Sequence, residues 1–314
     1  MTRGYLRTAS TDVLTLLVLI CATDAPAHEP VFSPGPHTIY KGGAGAAVTA
    51  ESTFDGGREG PIRLRGDFSY GLTADLQLSA GVPVLVARQA DHGPSTAVGD
   101  SVAQLKWRPW KNAAKGRVDS LSLLGAVKLP TGHHDVSKGN TGYTFGATIA
   151  REHLRYYLFG SALYTMQTAG VGGTKPGDVV EYNLAAGLRP VVLEYDQPDA
   201  VVLVELNGTT ARPPQTPGSG GSDANGGHHG SGHQTLRAGL SEDDEYGTVR
   251  QAHTGGATDF TSGGAGGTEL AVSPELLLSW GPVMLKGGVQ FPFFDTFNSP
   301  RPDFRVKSSL IVQF

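Results

Sequence analysis

Residues 303–314 read DFRVKSSLIVQF. Taken alternately they split into two sets. Phe304, Val306, Leu310, Val312 and Phe314 share one face, with Ser308 among them. Arg305, Lys307, Ser309 and Gln313 share the other, with Ile311 the one apolar exception. A period of two with one apolar and one charged face predicts a β-strand between two unlike media.

The same alternation recurs upstream. Ile62, Leu64, Phe68 and Tyr70 oppose Arg63, Arg65, Asp67 and Ser69. After a tight turn expected at Tyr70-Gly71, Leu72, Leu76, Leu78, Val82 and Val84 oppose Thr73, Asp75, Gln77 and Ser79. About twelve such segments are expected, near 45–54, 62–70, 72–84, 98–107, 118–129, 143–149, 153–164, 180–189, 200–206, 270–280, 283–293 and 303–314. The first is Ala-rich and weakly patterned. The seventh carries aromatics on both faces, so its orientation stays open.

The joints alternate too. Those after odd segments are longer (88–96, 130–141, 167–178, 208–267, 295–302), the first, 55–60, excepted. Those after even segments are mostly tight, as at Arg151-Glu152 and Gly281-Pro282, with 111–116 and 191–199 somewhat longer. Long loops on one side and short turns on the other are the pattern of a transmembrane β-barrel with both ends on the periplasmic side. An even strand count closes such a sheet and leaves no unpaired edge in lipid. A closing strand that ends on an aromatic, here Phe314, is similar to the last strand of bacterial outer-membrane barrels, a resemblance that implies recognition by the barrel-insertion machinery.

Composition agrees. Charged residues are 17%, glycines number 44 and the net charge is −4. Mean hydropathy is −0.16, as expected where polar lumen residues offset lipid-facing apolar ones. The charge and the lack of a basic patch argue against a nucleic-acid partner. The single cysteine, Cys21, lies in a segment expected to be removed: Arg3 and Arg7 precede the apolar run VLTLLVLICA and the small-x-small site Ala25-Pro26-Ala27. This reads as a signal peptide, 1–27, with an apolar core too short to span as a helix. A lipoprotein signal at Cys21 is disfavoured by Ile20, where a small residue is wanted. The exported domain is then 28–314. Its first stretch, HEPVFSPGPHTIYK (28–41), holds three prolines and is an irregular lead-in that either enters the lumen or lies at the periplasmic mouth.

A soluble sandwich would show the same half-buried strands with the faces inverted. Export, Phe314 and the loop asymmetry favour the membrane barrel. Energetics then orients it, because an Arg or Lys facing the bilayer midplane costs roughly 2–4 kcal/mol. The expected lumen set is Arg63, Arg65, Asp67, Asp75, Gln104, Lys106, Arg108, Lys128, Glu181, Glu205, Glu275, Lys286, Arg305 and Lys307. Tyr70, Trp107, Tyr182, Trp280 and Phe314 fall where an interfacial aromatic girdle would lie.

Several strings carry a family resemblance: Gly99-Asp100 before LKWRPW (105–110), VKLPTG (127–132), GYTFG (142–146) and NLAAGLRP (183–190). In this order they resemble the outer-membrane proteins of the "MetA-pathway of phenol degradation" family, labelled as transporters. The resemblance spans 45–314 apart from the Gly-rich insertion. It implies passage of small solutes, aromatic or hydrophobic ones among them, and carries no binding residues over.

Other stretches offer chemistry of their own. The insertion 208–267 is low-complexity and holds His228, His229, His233 and, further on, His253. Imidazoles suit Zn, Cu or Ni, so a metal-capturing or purely structural surface barrel is the alternative function. Ordering a Gly-rich loop opposes such binding, and a solvated loop with incidental histidines is the preferred reading. Ser241-Glu242-Asp243-Asp244-Glu245 could bridge to lipopolysaccharide through divalent ions, although a solvated charge run explains it as well. His134 and Ser137 suggest an outer-membrane lipid hydrolase less well, because no third orienting group can be named. The expected function is a non-enzymatic outer-membrane channel without a cofactor, surrounded by outer-membrane lipid.

Overall fold

The computed structural model describes residues 28–89, 93–134, 136–190, 198–215, 266–297 and 302–314. Among these, twelve long strands form one antiparallel meander: β1 (Ala44–Asp55), β2 (Ile62–Thr73), β3 (Leu76–Gln89), β4 (Ser101–Ala114), β5 (Arg117–Leu129), β6 (Gly142–His153), β7 (Tyr156–Gln167), β8 (Val179–Leu188), β9 (Asp199–Ala211), β10 (Gly267–Trp280), β11 (Val283–Asp295) and β12 (Phe304–Gln313). Two short strands, Arg58–Glu59 and Gly93–Val98, extend the sheet into loops.

The sheet closes on itself. β12 pairs with β1 from Phe54 opposite Phe304 to Gly45 opposite Gln313. The seam is finished by Phe314, whose N–H donates to the Ala44 carbonyl at 2.8 Å while its own carbonyl accepts from Ala44 at 2.7 Å. Every strand thus has two neighbours, so the sheet leaves no open edge.

The burial pattern is the inverse of a water-soluble protein. Arg63, Arg65, Lys106, Lys286, Arg305 and Lys307 are buried, whereas Leu64, Phe68, Leu184, Val202, Val204 and Leu206 are exposed. Large apolar residues cover the outside in continuous rows, far beyond what a soluble surface shows. Aromatic rings collect toward both ends: Tyr70, Trp107, Trp110 and Trp280 near the short turns, Tyr143, Phe145, Phe291 and Phe293 toward the long loops. That arrangement is an apolar band between two aromatic girdles.

Some boundaries differ from the sequence reading. The β2–β3 turn is Ala74-Asp75, not Tyr70-Gly71. Gly71 resembles a turn residue because its backbone is used from the side: it accepts from Gly42 at 2.8 Å and donates to Gly43 at 2.9 Å, with a register slip beside it. A side chain there would meet the Tyr40 carbonyl at 2.0 Å. β4 runs to Ala114, so its joint to β5 is also tight. Residues 208–211, expected in the long loop, continue β9, and Gly267 begins β10. β7 is oriented with Tyr157, Phe159 and Leu163 buried and Tyr156, Leu158 and Met166 exposed.

If hydrocarbon surrounds the outside, Val204→Arg, in the middle of β9, should lower the free energy of refolding into lipid vesicles by about 2–4 kcal/mol, read by urea titration. A surface facing water would tolerate it within about 0.5 kcal/mol.

The lumen and its candidate functional site

Period two sends every second side chain of each strand inward, so the lumen is built from one residue in two of each wall strand. Of the expected set, Arg63, Arg65, Lys106, Arg108, Lys128, Glu205, Glu275, Lys286, Arg305 and Lys307 are buried; Asp67, Gln104 and Glu181 are half-buried. Asp75 is the exception. It sits in the β2–β3 turn with its side chain 53% exposed, and binds Arg108 at 2.9 Å at the rim. A turn residue has no face, so strand alternation could not place it.

The long-loop half of the lumen holds two polar networks. Arg305 grips Glu269 through two bonds of 2.8 Å and donates to Gln290 at 2.6 Å. Gln290 and Ser273 both donate to the Asn207 carbonyl oxygen, Asn207 donates to Asn183, and Asn183 donates to Ser161. Lys128 donates to Asn140, and Asn140 to Gln167. Buried polar groups linked in this way satisfy one another and hold the wall to one arrangement.

The short-turn half is different. Its lumen face on β6–β10 is apolar: Ala150, Tyr157, Phe159, Ala185, Val201, Leu203 and Leu277 form one buried cluster, completed by Val31 with Phe32 packed against it. Val31 and Phe32 belong to the lead-in, which therefore lies inside the barrel. Of the two positions left open by the sequence, the lumen is the one occupied.

Irregular backbone can be buried only if its polar groups find partners. The lead-in meets this in two ways. Pro30, Pro34 and Pro36 have no N–H to satisfy. Several of the remaining groups are met by wall side chains, and His37 N–H donates to Glu29 within the lead-in. Val31 N–H donates to Glu275 Oε2 at 2.9 Å, Phe32 N–H to Glu205 Oε2 at 3.2 Å and Ile39 N–H to Gln77 Oε1 at 2.9 Å. The Pro30 carbonyl accepts from Lys286 at 3.0 Å, and the Pro36 carbonyl from Ser122. Charges add to this: Glu29 pairs with Lys106 at 3.3 Å, His28 with Asp199 at 3.1 Å, and His37 with Glu152. The Phe32 ring fits against Gly288, where a Cβ would lie 2.9 Å from it.

Two features of this contact stand out chemically. Glu205 and Glu275 are 0% and 4% exposed and lie close enough to interact, and each has one oxygen without a hydrogen-bond partner among the described residues. Lys307, 1% exposed, has its ammonium 5.4 Å from the Phe32 ring centroid and no hydrogen-bond partner among the described residues. A cation over an aromatic face is worth about 2 kcal/mol or more when desolvated. The lead-in thus stands between a buried cation and two buried acids.

Sequence reasoning missed Glu29, Glu51, Asp100, Asp119 and Glu269, all but Glu29 buried. Glu51 was legible in part: it lies opposite both Lys307 and Arg63 in the closed register, but β1 is too Ala-rich for its faces to be told apart. Glu29 and Asp100 lie outside the long strands and have no period to reveal them. His228, His229, His233 and His253 lie outside the described residues. Among the described residues no three potential ligands converge on a metal site. Ser137 Oγ accepts from Gly139 N–H at 3.1 Å within its own turn, and His134 lies beside His133 with ring centroids 4.2 Å apart.

No family model matches the sequence, and no curated protein does. Among solved structures, the fold is similar to the COG4313 outer membrane channel from Pseudomonas putida F1, with a TM-score of 0.55 and 12% identity over 92% of this chain and 100% of that one. LpxR from Salmonella typhimurium matches more loosely, with a TM-score of 0.40 and 9% identity over 86% of this chain and 99% of that one, too remote to bear on function. At these identities the likeness shows the fold: a closed twelve-stranded antiparallel barrel of the outer-membrane kind.

Proposed function

We propose that the chain is exported by way of a signal peptide at 1–27, inserted into the outer membrane of a Gram-negative cell with Phe314 as the insertion signal, and acts there as a channel for small solutes, obstructed at rest by its own lead-in. The likeness to the Pseudomonas putida channel supports the channel reading. Together with the strings at 105–110, 127–132, 142–146 and 183–190, it also supports kinship with the phenol-degradation MetA-type family, and with it small, aromatic or hydrophobic solutes. The lumen residues Arg63, Arg65, Lys106, Glu205, Glu275, Lys286, Arg305 and Lys307 would set the charge along the path. No catalytic constellation is needed by this reading.

One observation carries it. What fills the short-turn half of the lumen is a segment that belongs to no strand of the sheet, joined to the wall through side chains rather than a β-ladder. Removing it breaks no strand pairing. Its anchorage is also divided: Val31 and Phe32 fill an apolar patch, a burial worth about 1.5–3 kcal/mol per side chain, while their N–H groups depend on Glu275 and Glu205.

In planar bilayers the intact chain should therefore show small or rare openings, and deletion of residues 30–40 should raise the conductance severalfold. Equal conductance of the two would sink the gating reading, and silence of both would leave a sealed structural barrel. Glu205→Ala with Glu275→Ala strands two buried N–H groups at about 1–3 kcal/mol each. The double variant should open at least tenfold more often than the parent in single-channel traces.

A further inference from the structure

The lead-in does not fill the lumen evenly. It packs against the apolar face of β6–β10 and leaves a cavity of about 480 Å³ against β1–β4, β11 and β12. That volume lies in the range of small-molecule sites. One side of the cavity is the lead-in itself, from Glu29 to Tyr40; the other is the barrel wall. Lys111, exposed near the β4–β5 turn, and Thr38, bonded to the Ala74 carbonyl in the β2–β3 turn, carry it to the rim on the short-turn side. It can therefore be entered without displacing the lead-in.

Its lining is unbalanced in charge. Arg65, Lys106, Arg108, Lys111 and Lys286 face two acids, Glu29 and Asp67. Three of the cations are matched: Arg65 binds Asp67 at 2.7 Å, Lys106 binds Glu29 at 3.3 Å and Arg108 binds Asp75, just outside the lining, at 2.9 Å. Lys286 donates to the Pro30 carbonyl at 3.0 Å with the charges of Glu29 and Glu275 acting on it, and Lys111 at the rim keeps the lining net positive. An excess of cations in a low-dielectric cleft attracts an anion strongly, because the field is focused there and weakly screened. The rest of the lining is mostly polar or small, Ser33, Gln77 and Gln104 among it, with Ile39, Met284 and Ile311 as apolar members between the charged groups.

We propose that this cavity is a binding site for a small organic carboxylate with an apolar body, entered from the short-turn mouth. The carboxylate takes charge-assisted hydrogen bonds from the cationic wall, and the apolar body lies on Ile39, Met284 and Ile311. The site rests on the channel reading for its biological sense, naming the class of solute handled, but not for its existence. Because the lead-in forms one side of it, occupancy and release of the lead-in are coupled through the same contacts.

The test is calorimetric titration of the full chain in detergent with sodium benzoate, benzyl alcohol and benzylamine. Benzoate should bind saturably and at least tenfold more tightly than the other two. Arg65→Gln with Lys111→Gln should weaken benzoate at least tenfold while leaving the thermal unfolding of the barrel in place. Arg212→Gln, an exposed cation on the long-loop side, should change nothing. Equal affinity for benzoate and benzyl alcohol, no saturable heat, or full benzoate affinity in the double variant would each overturn the site. Benzoate binding without any conductance would sink the channel and leave the site standing. Conductance without benzoate binding would do the reverse.

Discussion

An ionised side chain cannot face hydrocarbon at tolerable cost, and this protein places its strand arginines and lysines accordingly. Closure of β12 onto β1 gives them an interior to occupy. Once inside, each needs partners, and most of the lumen architecture follows from that need. The bidentate Arg305–Glu269 pair and the chain of amides and hydroxyls from Gln290 to Ser161 are what a buried charge demands of its surroundings. The outside carries no such obligation, which is why its residues are simply Leu, Val and aromatic.

The lead-in obeys the same rule in a different form. A segment without regular structure is a poor thing to bury, since each of its amides must be met individually. Prolines reduce the number of amides, wall side chains meet those of Val31, Phe32 and Ile39, and Glu29 meets that of His37. Apolar contact then makes burial favourable, because the β6–β10 face offers Tyr157, Phe159, Leu203 and Leu277 as a dry seat for Val31. The opposite wall offers charged and neutral polar groups. The segment cannot pack well against both, and the cavity is the remainder.

In the proposed channel, this division makes the lead-in the moving part and the network above it the fixed one. Arg305, Glu269, Gln290 and Asn207 all sit on paired strands, so displacing one breaks bonds to several neighbours. The lead-in meets Glu205, Glu275 and Lys307 from a chain free of the ladder, and those three groups retain unused hydrogen-bonding capacity among the described residues.

Alternation by itself determined the architecture: where most strands lie, which face of most of them is charged, that the strand number is even and that long and short connections fall on opposite sides. These follow from a period of two and from the cost of charge in lipid, both local properties of the chain. Where the period is hidden the sequence was mute. Ala-rich β1 concealed Glu51, and aromatics on both faces of β7 concealed the inward seat of Tyr157 and Phe159. The Ala74-Asp75 turn was displaced to Gly71 because a glycine reserved for close backbone approach looks the same as one reserved for a turn. Only the tertiary structure decided that 28–41 lies inside the barrel, which acids and amides hold it, and on which side it leaves space. Those contacts join residues as far apart as Val31 and Glu275, and no periodicity links positions that meet only after the sheet has closed.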